Sequence, residues 1–165
     1  GIIHGHISII RFYENTWMIQ HHAASRSSDN RAGLVVLNQV EQYINDFHRL
    51  YSTRMNFVMC YFRPDNRFPH RVFGGVTESI NDPNGSSIDP FAYFHYRKNS
   101  DLVEIPESCA LVKAAPEDLA ELESFYKYKS GGLMIHALEL EPGMFDCDNL
   151  TKEYQRLGFR KERHL

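Results

Sequence analysis

The sequence has few cysteines, no long apolar run and no excess of basic residues. Its three cysteines, Cys60, Cys109 and Cys147, lie far apart and form no CxxC pair, which excludes a disulfide-dense scaffold and favours a reducing, cytoplasmic setting. No window approaches the roughly 20 apolar residues that cross a bilayer, so we expect no membrane partner. With 18 basic against 21 acidic residues, the charge balance argues against general binding to nucleic acid.

Aromatic residues, in contrast, are plentiful. The 165 residues include 11 Phe, 9 Tyr and 1 Trp, a content that excludes a disordered chain. The length fits one domain, or one domain plus a fragment of another. We therefore expect a packed domain whose elements can be read from hydrophobic spacing.

The chain begins with two β-rich runs, residues 2–13 and 16–24. Their β-branched and aromatic content predicts a β-hairpin with a two-residue turn at 14–15. With residue 13 opposite residue 16, Phe12 pairs with Trp17. Apolar residues then fall on both faces, so we expect an α/β layer fold with helices on both faces of the sheet.

A strand–helix–strand unit follows. Residues 31–51 carry apolar side chains at steps of three and four, which predicts a helix, with Asp29 or Asn30 as its N-cap. The polar run 25–30 precedes this helix, and a strand-length apolar run, 55–62, follows it. We expect the second hairpin strand and 55–62 to be parallel.

The remaining chain contains further predicted elements. They are a helix over 68–80 with Pro69 in its first turn, a strand over 91–96, a linker over 97–108, a strand over 110–114, a helix from Pro116 that Gly131-Gly132 ends, a strand or helix over 133–140 with helix favoured, a helix over 148–157 with Gly158 at its C′ position, and a strand from Phe159.

The order of elements over residues 2–96 resembles the C-terminal two-thirds of the GNAT N-acyltransferase fold. The resemblance implies a GNAT-like mixed sheet with helices on both faces and a splayed parallel strand pair in its centre. Residues 1–96 would then be the core and 97–108 a linker. Residues 109–165 resemble the family's N-terminal arm, and either pack back on the core or start a second repeat. We expect an excised piece of a longer chain.

The start of the 31–51 helix is the predicted binding site. Free N–H groups at a helix N-terminus attract anions, and in the GNAT family they hold the pyrophosphate of acyl-CoA. The resemblance therefore implies acetyl-CoA or another acyl-CoA at Arg26, Asn30, Arg31, Ala32 and Gly33. Gly33 matches the middle glycine of the family's loop pattern, whereas Asn30 departs from it.

Two histidines, His21 and His22, stand just before this loop, at the carboxyl end of a strand. Ligands in such sheets bind beyond the carboxyl ends of strands, so we identify both as candidate catalytic residues that relay the amine proton. The family's usual acid, a tyrosine on the helix after the splayed strand, has no counterpart over residues 68–80.

These features predict a GNAT-like, acyl-CoA-dependent N-acyltransferase with small-molecule acyl-CoA and an amine acceptor as partners. The alternative is a non-catalytic GNAT-fold module that senses a ligand or binds other domains of a larger bacterial signalling protein. A third hypothesis is a zinc or copper site at His4, His6 and His21, which share one face of the predicted hairpin.

Overall fold

The computed structural model describes residues 1–25, 31–94, 105–144, 147–163 and 165. Within these residues a three-stranded mixed sheet in the order β1–β2–β3 combines with helices, giving a mixed α/β fold. The elements are β1 (Gly5–Arg11), β2 (Thr16–Ala24), α1 (Ala32–Phe47), a 3-10 turn (Tyr51–Thr53), β3 (Phe57–Cys60), α2 (Arg67–Pro69), a π-helical turn (His70–Gly74), α3 (Gly75–Ile80), α4 (Pro116–Lys129), α5 (Met134–Ala137) and α6 (Asp148–Arg156). No helix of the described ranges is both long and apolar enough to span a bilayer.

The strand–helix–strand unit is confirmed. Strands β2 and β3 are parallel, starting from the pair Thr16 and Phe57, and α1 connects them with contacts to β1 and β2. The N-cap prediction is wrong, because the residue that precedes the helix is Arg31, which makes no side-chain capping bond.

The hairpin forms, but its predicted register and turn are wrong. Trp17 pairs with Arg11 rather than with Phe12, and the connection between the strands covers residues 12–15, where the amides of Phe12 and Tyr13 both donate to the Thr16 carbonyl. The register shifts by one between His6 and Ser8. This shift is a β-bulge, and beyond it His6 pairs with Ala23 as the predicted register requires, so the error is confined to the pairs between the bulge and the longer turn.

Most of the predicted helices are confirmed, with two refinements. The helix over 68–80 starts at Arg67 and includes a π-helical turn that ends at Gly74. Residues 133–140 contain only the short helix α5. Helices α4 and α6 have nearly the predicted bounds, and Gly158 has the positive φ of 79° expected after a helix end.

Three predicted strands find no partner in the described residues. Residues 91–94 and 110–114 are not in a ladder, nor are the described residues from Phe159 onward; residues 95 and 96 lie outside the described ranges. A single backbone bond joins the Ala114 amide to the Leu165 carbonyl at 3.3 Å. One bond does not make a strand pair, because a strand requires a continuous ladder.

Both faces of the sheet are covered. Ile7 and Ile9 line a groove of about 330 Å³ against α1, and the opposite face carries Thr16 and Met18, which are buried. The deepest apolar side chains belong to the later helices, with Ile135 on α5 and Leu150 on α6 each only 1% exposed. The core therefore lies between the strands and residues from the second half of the chain.

Several polar contacts attach that second half to the first, among them those of Glu139, Tyr154 and Tyr126. The carboxylate of Glu139 accepts hydrogen bonds from the amides of Glu14 (3.1 Å) and Asn15 (2.6 Å) in the hairpin turn. The Tyr154 hydroxyl on α6 donates to the Arg11 carbonyl at 2.7 Å. On α4, the Tyr126 hydroxyl donates to Asp89 at 2.8 Å.

Candidate functional site

The N-terminus of α1 is an uncapped helix end. Its N-cap, Arg31, is exposed, and the first turn contains no acidic side chain. The helix begins with the bond that the Val35 amide donates to the Arg31 carbonyl at 3.0 Å, and the amides in the first turn of a helix have no intrahelical acceptor. Together with the positive end of the helix dipole, they make this end attractive to an anion.

The bulge in β2 lies directly beside this helix end. His21 and His22 together oppose the single residue Ile7, between the pairs Ser8–Gln20 and His6–Ala23. His21 adopts a φ of +50°, a left-handed conformation that is uncommon outside glycine. Bulges re-aim side chains and are frequent next to active sites.

The bulge brings His22 against the first turn of α1. Its Nε2 lies 2.9 Å from the Gly33 carbonyl oxygen, and its ring packs against Phe68 with centroids 5.4 Å apart. A carbonyl oxygen only accepts, so Nε2 carries the proton in this bond. In the neutral ring, Nδ1 is then the nitrogen that can accept a proton.

The parallel ladder stops halfway along β2. It joins four residue pairs and ends at Ile19 and Cys60, whereas β2 continues to Ala24. The C-terminal half of β2 therefore has a ladder with β1 but none with β3 in the described residues. Within the described residues, the backbone groups on that edge have no strand beside them.

Burial affects two ionisable groups where the ladder ends. It raises the pKa of the Cys60 thiol to about 11, so this cysteine is protonated at neutral pH and is a poor nucleophile. Burial also raises the pKa of the Tyr61 hydroxyl. Tyr61 directly follows β3 and contacts Phe91 edge-on at 5.4 Å.

No protein-family model, curated protein or solved structure matches this chain. The site is accordingly interpreted from its own geometry.

The structure brings together only some of the predicted site residues. His22 and Gly33 are in contact, Ala32 and Gly33 form the first turn of α1, and Arg31 is its exposed N-cap. His21 is exposed in the bulge and makes no contact with Gly33. The predicted binding residues Arg26 and Asn30 lie outside the described ranges.

Gly33 has a packing role in addition to its predicted binding role. A Cβ at this position would lie 3.4 Å from Ala24 Cβ and 3.6 Å from His22 Nε2. The glycine thus lets α1 approach β2 closely, and a large side chain there would push the helix off the strand. A test of binding must therefore change a neighbouring residue.

The metal hypothesis is not supported by the geometry. His4 lies opposite Ser25, with its Nδ1 3.3 Å from the serine Oγ, His6 pairs with Ala23, and His21 occupies the bulge. Across the described residues, no group of three or more His, Cys, Asp or Glu side chains is placed to hold a metal ion. The off-register bulge is what separates histidines that the simple hairpin places on one face.

Sequence reasoning missed two residues of this region, Phe68 and Tyr61. Phe68 was assigned only to a helix, and nothing in its spacing marks contact with His22. Tyr61 could have been found, because it stands at the carboxyl end of a predicted parallel strand, where ligands bind in such sheets.

Proposed function

We propose that this chain binds an acyl-CoA at the N-terminus of α1 and transfers its acyl group to an amine. The observation that supports this most directly is the bulge in β2, which places His22 against the uncapped helix end, beside the half of β2 that has no ladder with β3. A diphosphate fits the helix end, and an extended thioester arm fits the free strand edge. The proposal takes the end of the β2–β3 ladder as the point where a GNAT-like strand pair would splay apart.

The chemistry requires a polarised carbonyl, a base and an acid. A free amide of β2 would donate to the thioester oxygen as negative charge develops there. The amine nitrogen attacks the carbonyl carbon, the carbon–sulfur bond breaks, and the amine proton passes to a base such as His22 Nδ1. The thiolate of CoA takes up a proton as it leaves, and Tyr61, which directly follows β3 and whose pKa is raised by partial burial, is our candidate donor.

The second candidate is the same site without turnover, a module that senses an acyl-CoA or another phosphorylated ligand. One contact favours the sensing module: the hydrogen bond from His22 to the Gly33 carbonyl can serve only to hold α1 against β2. Binding and catalysis therefore have to be measured separately.

The binding test uses Arg31→Glu. A carboxylate at the start of α1 favours the helix dipole by about 0.3–1 kcal/mol, so this variant should fold at least as well as wild type while repelling an anion. We expect calorimetry with acetyl-CoA to show binding that weakens at least about tenfold in Arg31→Glu, a change of roughly 1.4 kcal/mol. Lys152→Glu, an equal charge change on α6, is the matched control.

The catalytic test follows release of the CoA thiol in the presence of a panel of primary amines. Release that is lost in both His22→Gln and Tyr61→Phe, with acetyl-CoA binding retained, would support the transferase. Binding without release supports the sensing module. Absence of heat with millimolar acetyl-CoA and millimolar CoA would contradict both the transferase and an acyl-CoA sensor.

A further inference from the structure

A second cluster lies away from the α1 site, around the side chain of Lys161. Three aromatic rings surround its ammonium nitrogen, with centroids at 4.1 Å for Phe12, 5.4 Å for Tyr13 and 5.8 Å for Tyr154. These residues come from the hairpin turn and from α6, which are far apart in sequence. Such a set of ring faces attracts a cation electrostatically.

The rings are held in place by other contacts. Phe12 and Tyr13 meet edge-to-face, with centroids 5.0 Å apart and planes at 88°, and both of their amides are bonded to the Thr16 carbonyl. The Tyr154 hydroxyl donates to the Arg11 carbonyl. The ring positions are therefore set by the fold and do not depend on Lys161.

Lys161 fits this enclosure imperfectly. Its ammonium group has three N–H donors, yet no carboxylate or carbonyl within the described ranges accepts a hydrogen bond from it. Burial lowers the pKa of Lys161, and the nearby Arg163 guanidinium lowers it further, whereas Cys147 and Glu139 favour the charged form. The ring faces thus attract the ammonium group, but the site withdraws it from water and leaves the hydrogen-bonding capacity of a primary ammonium unused.

An N-methylated ammonium has the opposite properties. A quaternary ammonium has no N–H donors to satisfy and loses less hydration on burial, which is why aromatic cages recognise choline and methyl-lysine. We propose that Phe12, Tyr13 and Tyr154 form a cage for a quaternary ammonium ligand, and that Lys161 is an internal occupant that the ligand displaces.

The side chain of Lys161 can leave while its backbone stays in place. The Lys161 carbonyl accepts a hydrogen bond from the Thr151 hydroxyl at 3.0 Å, and two residues later the Arg163 guanidinium donates to the Leu138 carbonyl at 2.8 Å. These two bonds hold the segment at Lys161 and two residues after it. Displacement then needs only rotation about the side-chain bonds of the lysine.

The test titrates two quaternary ammonium probes, choline and a short peptide that contains trimethyl-lysine, into wild type and Lys161→Ala. Because the tethered lysine competes at millimolar effective concentration, we expect the better probe to bind Lys161→Ala at least about tenfold more tightly than wild type. If the peptide binds more tightly than choline, the ligand of the cage is a modified protein. If choline binds as tightly as the peptide or more tightly, the ligand is a small molecule. The same peptide with unmodified lysine should bind at least about tenfold more weakly.

Two further variants and an NMR signal of the wild-type protein serve as controls for this test. Phe12→Leu in the Lys161→Ala background should abolish binding, and Lys152→Ala, which removes an exposed lysine on α6, should behave as wild type. If Lys161→Ala does not fold, the ε-methylene protons of Lys161 in wild type report the same exchange by NMR. Ring currents should shift them upfield, and the probe should return them to their ordinary position.

Two results would overturn the proposal. One is the absence of binding of either probe to folded Lys161→Ala at tens of millimolar. The other is a wild-type Lys161 ε-methylene signal at its ordinary position without ligand. Neither result bears on acyl-CoA binding, because the cage shares no residue with the N-terminus of α1.

Discussion

Cys60 shows how one side chain limits the chemistry of the candidate site. It is the last residue of β3 and the partner of Ile19 in the final pair of the ladder. Its burial raises the thiol pKa from 9.0 to about 11, so the thiolate needed for attack on a thioester is scarce at neutral pH. This cysteine is therefore a packing residue, and acyl transfer through a cysteine intermediate at this point is disfavoured.

The raised pKa predicts a loss of stability at alkaline pH. Between about pH 9 and pH 11 the unfolded chain loses the Cys60 proton while the folded chain keeps it, so the folded state binds more protons and stability falls as pH rises. Below pH 9 this contribution is fully present. We expect urea unfolding, followed by Trp17 fluorescence, to show a shallower alkaline decline for Cys60→Ala than for wild type, the difference in slope being at most about 1.4 kcal/mol per pH unit.

The control for this prediction is Cys109→Ala, because Cys109 is exposed. The tyrosines with raised pKa values contribute equally to all three proteins, so only the differences in slope are informative. A Cys60→Ala protein that loses stability as steeply as wild type would contradict the assignment.

Gly132, between α4 and α5, allows close packing against Ser87 in the loop before α4. A Cβ on this glycine would lie 2.5 Å from Ser87 Cβ and 2.8 Å from the Tyr126 hydroxyl oxygen. Hydrogen bonds stabilise the same contact: the Leu133 amide donates to Ser87 Oγ at 2.9 Å, and the Tyr126 hydroxyl donates to Asp89. The glycine is thus required for close approach of two elements.

This geometry predicts opposite effects for two glycine-to-alanine changes. Gly132→Ala should lower the free energy of unfolding by about 1–3 kcal/mol, because the added methyl overpacks the contact. Gly75→Ala, where nothing lies within 4 Å of the new Cβ, should raise it by about 0.5–1 kcal/mol through helix propensity. Urea unfolding of both variants is the measurement, and an unchanged or raised free energy of unfolding in Gly132→Ala would show that the packing at Gly132 is not as tight as described.

At the level of elements, the sequence predicts what depends on local spacing and fails where a partner is needed. The apolar steps of α1 and the acidic start of α4, where the Asp118 carboxylate accepts from the Ala115 amide at 2.7 Å, indicate helices correctly. The hairpin register was wrong next to the turn because the connection covers four residues, 12–15, instead of two, and the bulge at His21 and His22 then restores the predicted pairing of His6 with Ala23. Strand propensity over 110–114 could not show that none of the described strands lies beside it.

The candidate site could be predicted in part. The position of the anion-binding helix end follows from the strand–helix–strand order, and His22 follows from its place at the end of β2. The tautomer of His22, the packing of Gly33 against Ala24 and the role of Tyr61 depend on contacts across the sheet. Such contacts arise only after the bulge sets the register, which explains why spacing along the chain does not reveal them.

At the scale of the whole molecule, the two halves of the chain share polar and buried contacts. Glu139 is 3% exposed and adopts a left-handed φ of 51°, a strained conformation for a non-glycine residue. Its carboxylate is bonded to the hairpin turn, so the strain serves to position that carboxylate. The hairpin and the later helices should therefore depend on one another for stability.

We accordingly predict that the chain unfolds as one cooperative unit. Two probes test this: Trp17 in the sheet, and a fluorophore on α4 attached at Glu121→Cys in a Cys109→Ser background. Both probes should give the same urea midpoint. Glu139→Ala leaves the two part-buried amides of Glu14 and Asn15 without their acceptor, which should cost about 1–3 kcal/mol. If the unit is cooperative, both probes move together in this variant, while Glu107→Ala, which changes an exposed residue, moves neither. A fluorophore transition at lower urea than the Trp17 transition would instead show that the later helices unfold separately from the sheet, and that the Glu139 contact does not couple them.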